Sequence, residues 1–211
     1  MKKTLSMIIA IAMIAAMLIP MSILASAEEA TEVSSWAEFV ELANANFGEG
    51  NYKLTADTTA DATVEGFFGT FDGGDHTITT STTLFKEVAG PAIIKDFTVN
   101  PAKDADGNDI VLTVNPVIEA AVGSFIDAPI WISGITNNVS VTLLPTYVID
   151  GDSLQEPTAG ILGRADSENH IYIYDVVNNG NMTSDDQTGG IVGNCGHTSG
   201  ETYLTIVNAV N

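Results

Sequence analysis

The sequence predicts an all-β fold, a parallel β-helix (solenoid) with a short N-terminal capping α-helix, preceded by a cleaved signal peptide. One observation behind this prediction is a repeat, because residues 160–180 recur without a gap as residues 190–210. Another is that the repeated segments consist of short β-rich runs between turn residues. Five pairs coincide at one offset of 30 residues: Gly160 and Gly190, Gly163 and Gly193, Val176 and Ile206, Val177 and Val207, Asn178 and Asn208.

Fainter copies of the repeat lie upstream. Residues 130–142 match residues 171–183 at an offset of 41, and residues 93–100 match residues 131–138 at an offset of 38. Periods of about 20 to 50 residues are typical of solenoids, in which each repeat buries its apolar face against its neighbours. The chain is therefore predicted to hold about four copies of one structural unit.

The composition of each copy favours β-structure. Runs rich in Val, Ile, Thr, Tyr and Phe stand between Gly, Asn and Asp residues, which is typical of short strands joined by tight turns. The period of an α-helix is absent from these runs. Equivalent strands of stacked copies pair in parallel, and this arrangement is a β-helix.

Asparagines follow the apolar run in each copy. Asparagine tolerates left-handed backbone geometry, and its side-chain amide can hydrogen-bond an equivalent amide one repeat away. We expect these residues to form a ladder, while N-x-S/T tripeptides at 138–140 and 181–183 leave glycosylation as a second interpretation. The matching residues are Asn137 with Asn138, Asn178 with Asn179, and Asn208.

Residues 1–27 predict a cleaved secretory signal peptide. Lys2 and Lys3 precede an apolar run over residues 5–24, and residues 25–27 (ASA) supply the small side chains of a peptidase site. An uncleaved membrane anchor is the alternative, because about 20 apolar residues can span a bilayer. The acidic segment that follows Ala27 favours cleavage, which changes the formal net charge from −20 to −22 because both lysines are lost.

Residues 28–50 form the predicted N-terminal cap region, with a helix over about residues 35–45. Ser35 and Glu38 have the spacing of a capping box, and Trp36 and Phe39 begin an apolar stripe. A solenoid needs its open end covered, because exposed strand edges and an apolar interior promote aggregation. The β-helix itself is predicted over residues 51–211.

Two motifs at opposite ends of this region are the most specific. GTFDGGDHTI covers residues 69–78, where FDGG predicts a tight turn, and TGGIVG covers residues 188–193. With KLTAD, TLFKEV, IIKDFTV and AGILG between or beside them, they resemble bacterial surface proteins carrying the GLUG motif, over about residues 34–211. The segment TLFK departs from that pattern, since the family usually has glycine after the phenylalanine.

The resemblance implies a right-handed β-helix in a surface setting. Such modules occur in adhesins, in large cell-wall proteins and beside the protease domain of immunoglobulin-cleaving metallopeptidases. The resemblance does not imply an activity for the module itself.

The charge balance excludes two classes of partner. The chain has 7 Lys and Arg residues against 27 Asp and Glu, whereas nucleic acids and anionic lipids bind clustered basic residues. We therefore expect no nucleic-acid partner and no membrane contact beyond the signal peptide. Apolar residues make up 45% of the chain and can bury a core. The single Cys195 allows no intrachain disulfide, and we expect a packed free thiol.

Trp131 and Tyr172 form the candidate carbohydrate site. They coincide at the offset of 41, so stacked strands would place one above the other. If both side chains face outward, the apolar faces of sugar rings can dock on them. The sequence leaves the inward or outward register open, and packing in the core or at an edge is the second interpretation.

A cluster of oxygen-bearing side chains forms the candidate calcium site. The candidate ligands are Asp104, Asp106, Asn108 and Asp109. Calcium prefers such ligands, but Gly107 is misplaced for an EF-hand, and a turn explains the same residues. No other cofactor is expected.

The sequence predicts no catalytic residue. Lyases of acidic sugars need basic groups, and Arg164 is the only arginine. Glycosidases need two carboxylates about 5 to 9.5 Å apart, but the acids considered fall in turn-like segments, and the histidines occupy unrelated repeat positions. The residues considered were Asp150, Asp152, Asp185, Asp186, His76, His170, His197 and Cys195.

The leading prediction is a non-catalytic, secreted or cell-surface β-helix module for adhesion, interaction or structural spacing. Its partner would be a host or bacterial surface glycan or protein. The alternatives are a polysaccharide-active lyase or glycosidase, and a calcium-dependent cell-wall or surface-layer component. Because residues 202–211 lie inside a repeat, we expect the β-helix to be incomplete there and its last repeat to be covered by a further C-terminal domain or a partner.

Overall fold

The computed structural model describes residues 29–123, 128–143, 148–149, 152–153, 157–168, 170–184, 187–196 and 202–211. The predicted signal peptide, residues 1–27, lies outside the described residues. The described residues from Thr31 onward belong to one compact unit.

The described part of the chain is mostly β-structure with parallel sheets and one helix. The helix, α1, is Trp36–Ala45, and no described helix is long and apolar enough to cross a bilayer. The strands are β1 Thr31–Val33, β2 Asn51–Leu54, β3 Thr58–Ala60, β4 Val64–Phe67, β5 Thr70–Thr80, β6 Phe85–Ala89, β7 Ala92–Pro101, β8 Ile118–Gly123, β9 Ile130–Asn137, β10 Val141–Leu143, β11 Val148–Ile149, β12 Asp152–Ser153, β13 Thr158–Ala159, β14 Leu162–Ser167, β15 His170–Asn178, β16 Met182–Ser184, β17 Thr188–Gly189, β18 Val192–Cys195 and β19 Tyr203–Val210.

Two parallel sheets contain most of the strands. The larger sheet has the order β1, β2, β5, β7, β9, β15, β19, with β3 also pairing with β5, and the smaller has the order β18, β14, β8, β6, β4. The chain alternates between them, since each strand of the smaller sheet precedes a strand of the larger one. Two further parallel pairs join β10 to β16 and β13 to β17, and β11 pairs with β12 antiparallel.

The strand register confirms the two longer repeat offsets. Trp131 pairs with Ile93 on one side and with Tyr172 on the other, at offsets of 38 and 41. In the smaller sheet, Leu162 pairs with Val192 at the predicted offset of 30. Five strands, β5, β7, β9, β15 and β19, pair in succession in the larger sheet.

The offset of 30 is wrong for the last strand of the larger sheet. Val176 pairs with Ala209, and Ile206 pairs with Ile173, at an offset of 33. The last copy therefore has three additional residues between β18 and β19. A connection can lengthen at little cost in free energy, so the insertion shifts the register and leaves the strands intact. The predicted pairs Val177 with Val207 and Asn178 with Asn208 are wrong for the same reason.

A left-handed residue bends each strand of the larger sheet from β7 to β19. These residues lie opposite one another in the sheet, and Gly, Asp and Asn adopt this conformation with the least strain. In β5 the bend falls at Gly74 and Asp75, so the predicted tight turn at FDGG is instead a bend within one continuous strand. The aligned residues are Asp96 (φ +59°), Gly134 (+63°), Asp175 (+52°) and Asn208 (+54°).

The bend lets apolar side chains on both sides of it face the interior. In β15, Ile171 and Ile173 before the bend and Val176 after it are all fully buried. In a straight strand, side chains alternate between the two faces, so either the two isoleucines or Val176 would face solvent. The two registers that the sequence left open are therefore both used, one on each side of the bend.

Helix α1 packs against an aromatic cluster of the sheets. The Ser35 side chain accepts a hydrogen bond from the Glu38 backbone N–H at 3.2 Å, but the Glu38 carboxylate accepts from the backbone N–H of Ser34 at 2.8 Å rather than from Ser35. One bond of the predicted capping box is therefore observed, and the other joins Glu38 to Ser34 in place of Ser35. Trp36 and Phe39 are fully buried, with ring centroids 5.6 and 4.5 Å from that of Phe71.

We expect Gly134→Ala to destabilise the protein by about 2 kcal/mol or more, measured by urea unfolding. A left-handed alanine costs about 1–2 kcal/mol, and a Cβ at this position would collide with Oδ1 of Asp96. Gly107→Ala isolates the backbone strain, since Gly107 has φ +84° and no atom near its Cβ position. Gly66→Ala has neither penalty and should change stability little. Equal losses in Gly134→Ala and Gly107→Ala would contradict the collision.

Candidate functional site

An aromatic stack lies on the outer face of the larger sheet and consists of Trp131, Tyr172 and Tyr174. All three side chains are partly exposed and alternate with fully buried isoleucines. The rings of Trp131 and Tyr172 are 4.1 Å apart and within 13° of parallel. Tyr174 lies 5.9 Å from Trp131 at 18°. Trp131 and Tyr172 stack because they are partners on paired parallel strands, which hold equivalent side chains about 4.8 Å apart. Tyr174 lies two residues further along β15, on the same face.

Polar groups border the aromatic stack at one end of β15. The hydroxyl of Tyr172 lies 3.2 Å from Nδ1 of His170, which is exposed. The His170 ring meets that of Tyr203 edge-on, with centroids 4.7 Å apart. Burial, with a smaller contribution from Tyr172, raises the pKa of Tyr174.

The stacking geometry limits how a sugar could bind. Trp131 and Tyr172 each cover one face of the other, so a sugar would meet ring edges and hydroxyl groups rather than a slot between the rings. Nε1 of Trp131 is buried and has no hydrogen-bond partner. The outward, stacked placement of Trp131 and Tyr172 is observed, and sugar binding by them stays a prediction.

The candidate calcium loop is a turn closed by its own hydrogen bonds. Oδ1 of Asp104 accepts from the backbone N–H groups of Asn108 and Asp106, each at 2.9 Å. These bonds, above all that from Asn108, lower the pKa of the Asp104 carboxyl. Lys103 and Asp109 form an antiparallel bridge and an ion pair. The turn interpretation is therefore observed.

Calcium binding by this loop stays a prediction. Within the described ranges, no group of three or more His, Cys, Asp or Glu side chains is placed to hold a metal ion. Of the four candidate ligands, Asp104 is engaged with its own turn and Asp109 with Lys103.

Several carboxylates in or beside the larger sheet pair with basic side chains. Nζ of Lys95 lies 2.5 Å from Oδ2 of Asp72 and 2.7 Å from Oδ2 of Asp96. Burial opposes the charge on Lys95, but the hydrogen bonds that Lys95 donates to Asp72 and Asp96, with the charges of these carboxylates, together outweigh burial and raise its pKa. Nδ1 of His76 lies 3.3 Å from Oδ1 of Asp57. Of the other residues considered for catalysis, Asp152 begins β12, while Asp150, Asp185, Asp186 and His197 lie outside the described residues.

An inner asparagine ladder runs across the ends of three strands. Nδ2 of Asn137 donates to Oδ1 of Asn178 at 2.8 Å, and Nδ2 of Asn178 donates to Oδ1 of Asn211 at 2.7 Å. Asn137 is fully buried. Its amide also bonds the backbone N–H and C=O of Val139, at 3.1 and 3.0 Å. The ladder therefore satisfies polar groups that would be costly to bury alone.

An outer ladder lies beside it and is more exposed. Nδ2 of Asn179 donates to Oδ1 of Asn138 at 2.8 Å, and Nδ2 of Asn138 donates to Oδ1 of Asn100 at 2.7 Å. The expectation for Asn208 is wrong, because it occupies the left-handed bend and donates to Oδ1 of Asp175 at 2.9 Å. Asn100 was missed although the offset of 38 aligns it with Asn138, and Asn211 was missed because the last copy was aligned without its insertion.

Cys195 is exposed, so the expectation of a packed thiol is wrong. It pairs with Ala165, which is fully buried, and so occupies an inward position of its strand. In the described chain β18 is the last strand of the smaller sheet, and nothing covers its inward side chains as β18 covers those of β14. Partial burial still raises the pKa of the Cys195 thiol.

Comparisons with known proteins leave the resemblance to GLUG-motif proteins as a prediction. No protein-family model, no curated protein and no solved structure matches the chain. The resemblance therefore depends on the quoted sequence motifs alone.

We expect Asn178→Ala to lower the free energy of unfolding by about 2–3 kcal/mol, because it leaves a buried amide of Asn137 without its acceptor. The matched control is Asn179→Ala in the outer ladder, where solvent can replace the lost bond, with an expected loss below about 1 kcal/mol. Chemical denaturation of both variants measures the difference. Similar losses would show that the inner ladder has no special role.

The carboxyl of Asp104 should titrate below 3.8, the value for an unperturbed aspartate. Because the folded-state pKa is lowered, its stabilising effect is present above the unfolded pKa and is lost as the pH falls through the folded value. NMR titration of the side-chain carbonyl measures the midpoint. The native chain and Asp104→Asn should therefore differ less and less in free energy of unfolding as the pH falls from the unfolded-state pKa of Asp104 through its folded-state pKa. A midpoint at or above 3.8 would contradict the closed turn.

Proposed function

We propose that residues 51–211 form a right-handed parallel β-helix of the GLUG type. The support is that successive strands of the larger sheet pair in parallel, while the chain returns to the smaller sheet between them. A chain that repeats this circuit winds as a coil. The right hand is the rule for connections between parallel strands of one sheet.

In this proposal α1 covers the first coil. Trp36 and Phe39 supply the apolar surface, and Phe85 and Phe71 receive it from the smaller and larger sheets. A covered end fits the general need of solenoids for a capping element. The cap region remains the predicted residues 28–50.

The proposed role is that of a secreted or cell-surface, non-catalytic module for adhesion or spacing. The predicted signal peptide supports export. In the asparagine ladders and the Asp104 turn, polar side chains form their hydrogen bonds with the backbone or with one another. Such use of polar groups favours a structural module over an enzyme. The formal charge of −20 disfavours anionic polymers as ligands.

The aromatic stack is the proposed contact for a neutral glycan. The observation that carries this proposal is the outward, partly exposed placement of three near-parallel rings beside His170. Ring edges offer apolar contact, and the hydroxyls of Tyr172 and Tyr174 offer hydrogen bonds, which is the combination that sugar sites use.

The proposed glycan contact is tested with a glycan array. Trp131→Ala combined with Tyr172→Ala should weaken binding of neutral glycans by about tenfold or more, because it removes most of the apolar contact. The control is Phe47→Ala, which removes an aromatic ring that is 87% exposed and is not part of the stack. Circular dichroism should show both variants folded.

An array profile unchanged in the double variant would remove the glycan contact from the proposal. A polysaccharide degradation screen with the native chain separates binding from catalysis. Release of reducing ends or unsaturated sugars would favour the lyase or glycosidase alternative.

A further inference from the structure

Strand β19 has one open edge in the described part of the chain. Among the described strands, β15 is its one partner. Ile206 lies at the same inward position as Ile173, its partner in β15, yet it is 42% exposed while Ile173 is fully buried. The difference arises because β19 covers Ile173 and no described strand covers Ile206. Val210, at 59% exposure, adds apolar surface near the end of the strand.

The described residues of β19 and of the segment that contains β17 and β18 carry no charged side chain. Residues 187–196 and 202–211 contain no Asp, Glu, Lys or Arg, in a chain with 27 acidic residues. Among the described residues, the carboxylate that bonds to β19 is that of Asp175, which lies on the paired strand β15 and not on the open edge. Recognition at such an edge depends on backbone hydrogen bonds and on apolar contact.

Three side-chain columns of the larger sheet end at β19. The interior column ends at Leu204, Ile206 and Ala209. The column of residues with positive φ at the strand bend ends at Asn208, and the inner asparagine ladder ends at Asn211. A strand that extends all three columns needs apolar residues at the interior positions, Gly, Asp or Asn at the bend, and Asn at the ladder position.

We propose that the open edge of β19 binds, in parallel, a β-strand of a partner chain that carries this same repeat chemistry. β15 already meets the requirement on the other edge, since its sequence HIYIYDVVN provides the apolar residues, Asp175 at the bend and Asn178 in the ladder. The parallel direction follows because an antiparallel strand would place its asparagine at the opposite end of β19 from Asn211. Exposed sheet edges are common sites for strand addition.

The test uses a fluorescent peptide with the sequence of residues 170–179, added to the full chain. Fluorescence anisotropy should show saturable binding. Hydrogen exchange should show new protection of the β19 amides that point to the open edge. The proposal is independent of glycan binding, because neither readout involves the aromatic stack of the chain.

Variants of the peptide separate recognition from non-specific adhesion. In the peptide, Ile173→Asp should weaken binding by more than about tenfold, because the charge would enter the apolar interior. Asn178→Ala in the peptide should also weaken binding. The matched control is Tyr172→Thr, because the side chain at this position faces outward, and this peptide should bind like the parent. In the chain, Ile206→Asp should abolish binding while circular dichroism stays unchanged.

Three outcomes overturn the proposal. The first is no saturable binding of the parent peptide. The second is equal binding of the parent peptide and its Ile173→Asp variant. The third is a dimer of the native chain in light scattering that Ile206→Asp dissociates and the peptide does not, because the occupant would then be a second copy paired in another way.

Discussion

The structure depends on parallel, in-register pairing between equivalent strands of successive repeats. This pairing places each side chain beside its equivalent on the next strand, so that the chemistry of one position becomes a column across the sheet. Ile132 and Ile173 are partners in the interior, and Trp131 and Tyr172 are partners outside it. The asparagine ladders and the aromatic stack are therefore consequences of the same constraint. With one cysteine and no possible intrachain disulfide, packing and these columns must hold the fold together.

A second constraint lies in the left-handed bend of the larger-sheet strands from β7 to β19. Straight strands would bury only alternate residues, whereas the bent strands bury Ile173 and Val176 on the two sides of Asp175. The bend requires residues that accept positive φ with little strain. This requirement explains why Asp, Gly and Asn recur at one position although none of them packs in the core.

Composition and the offsets of 38 and 41 were sufficient to predict β-structure and the parallel pairing of Trp131 with Tyr172. The spacing of Ser35 and Glu38 and the apolar stripe after them predicted the helix, which is observed over Trp36–Ala45. The last strand was misaligned because an insertion in a connection leaves no hydrophobic signal of its own. The sequence could not decide which residues face inward, because that depends on the bend. Exposure of Cys195 was also beyond prediction, since burial depends on whether a further strand covers the position. The bend column was detectable in principle, because Asp96, Gly134, Asp175 and Asn208 align once the offsets are corrected.

The proposed β-helix and its proposed roles all depend on one register, which methyl NOEs in solution can measure directly. On a sample labelled at isoleucine methyl groups and tyrosine rings, Ile173 should show contacts to Ile132 on one side and to Ile206 on the other. Contacts from Ile173 to the Tyr203 ring in place of Ile206 would mean that the uninterrupted offset of 30 is correct. The absence of contacts to both isoleucines would contradict the parallel stack itself.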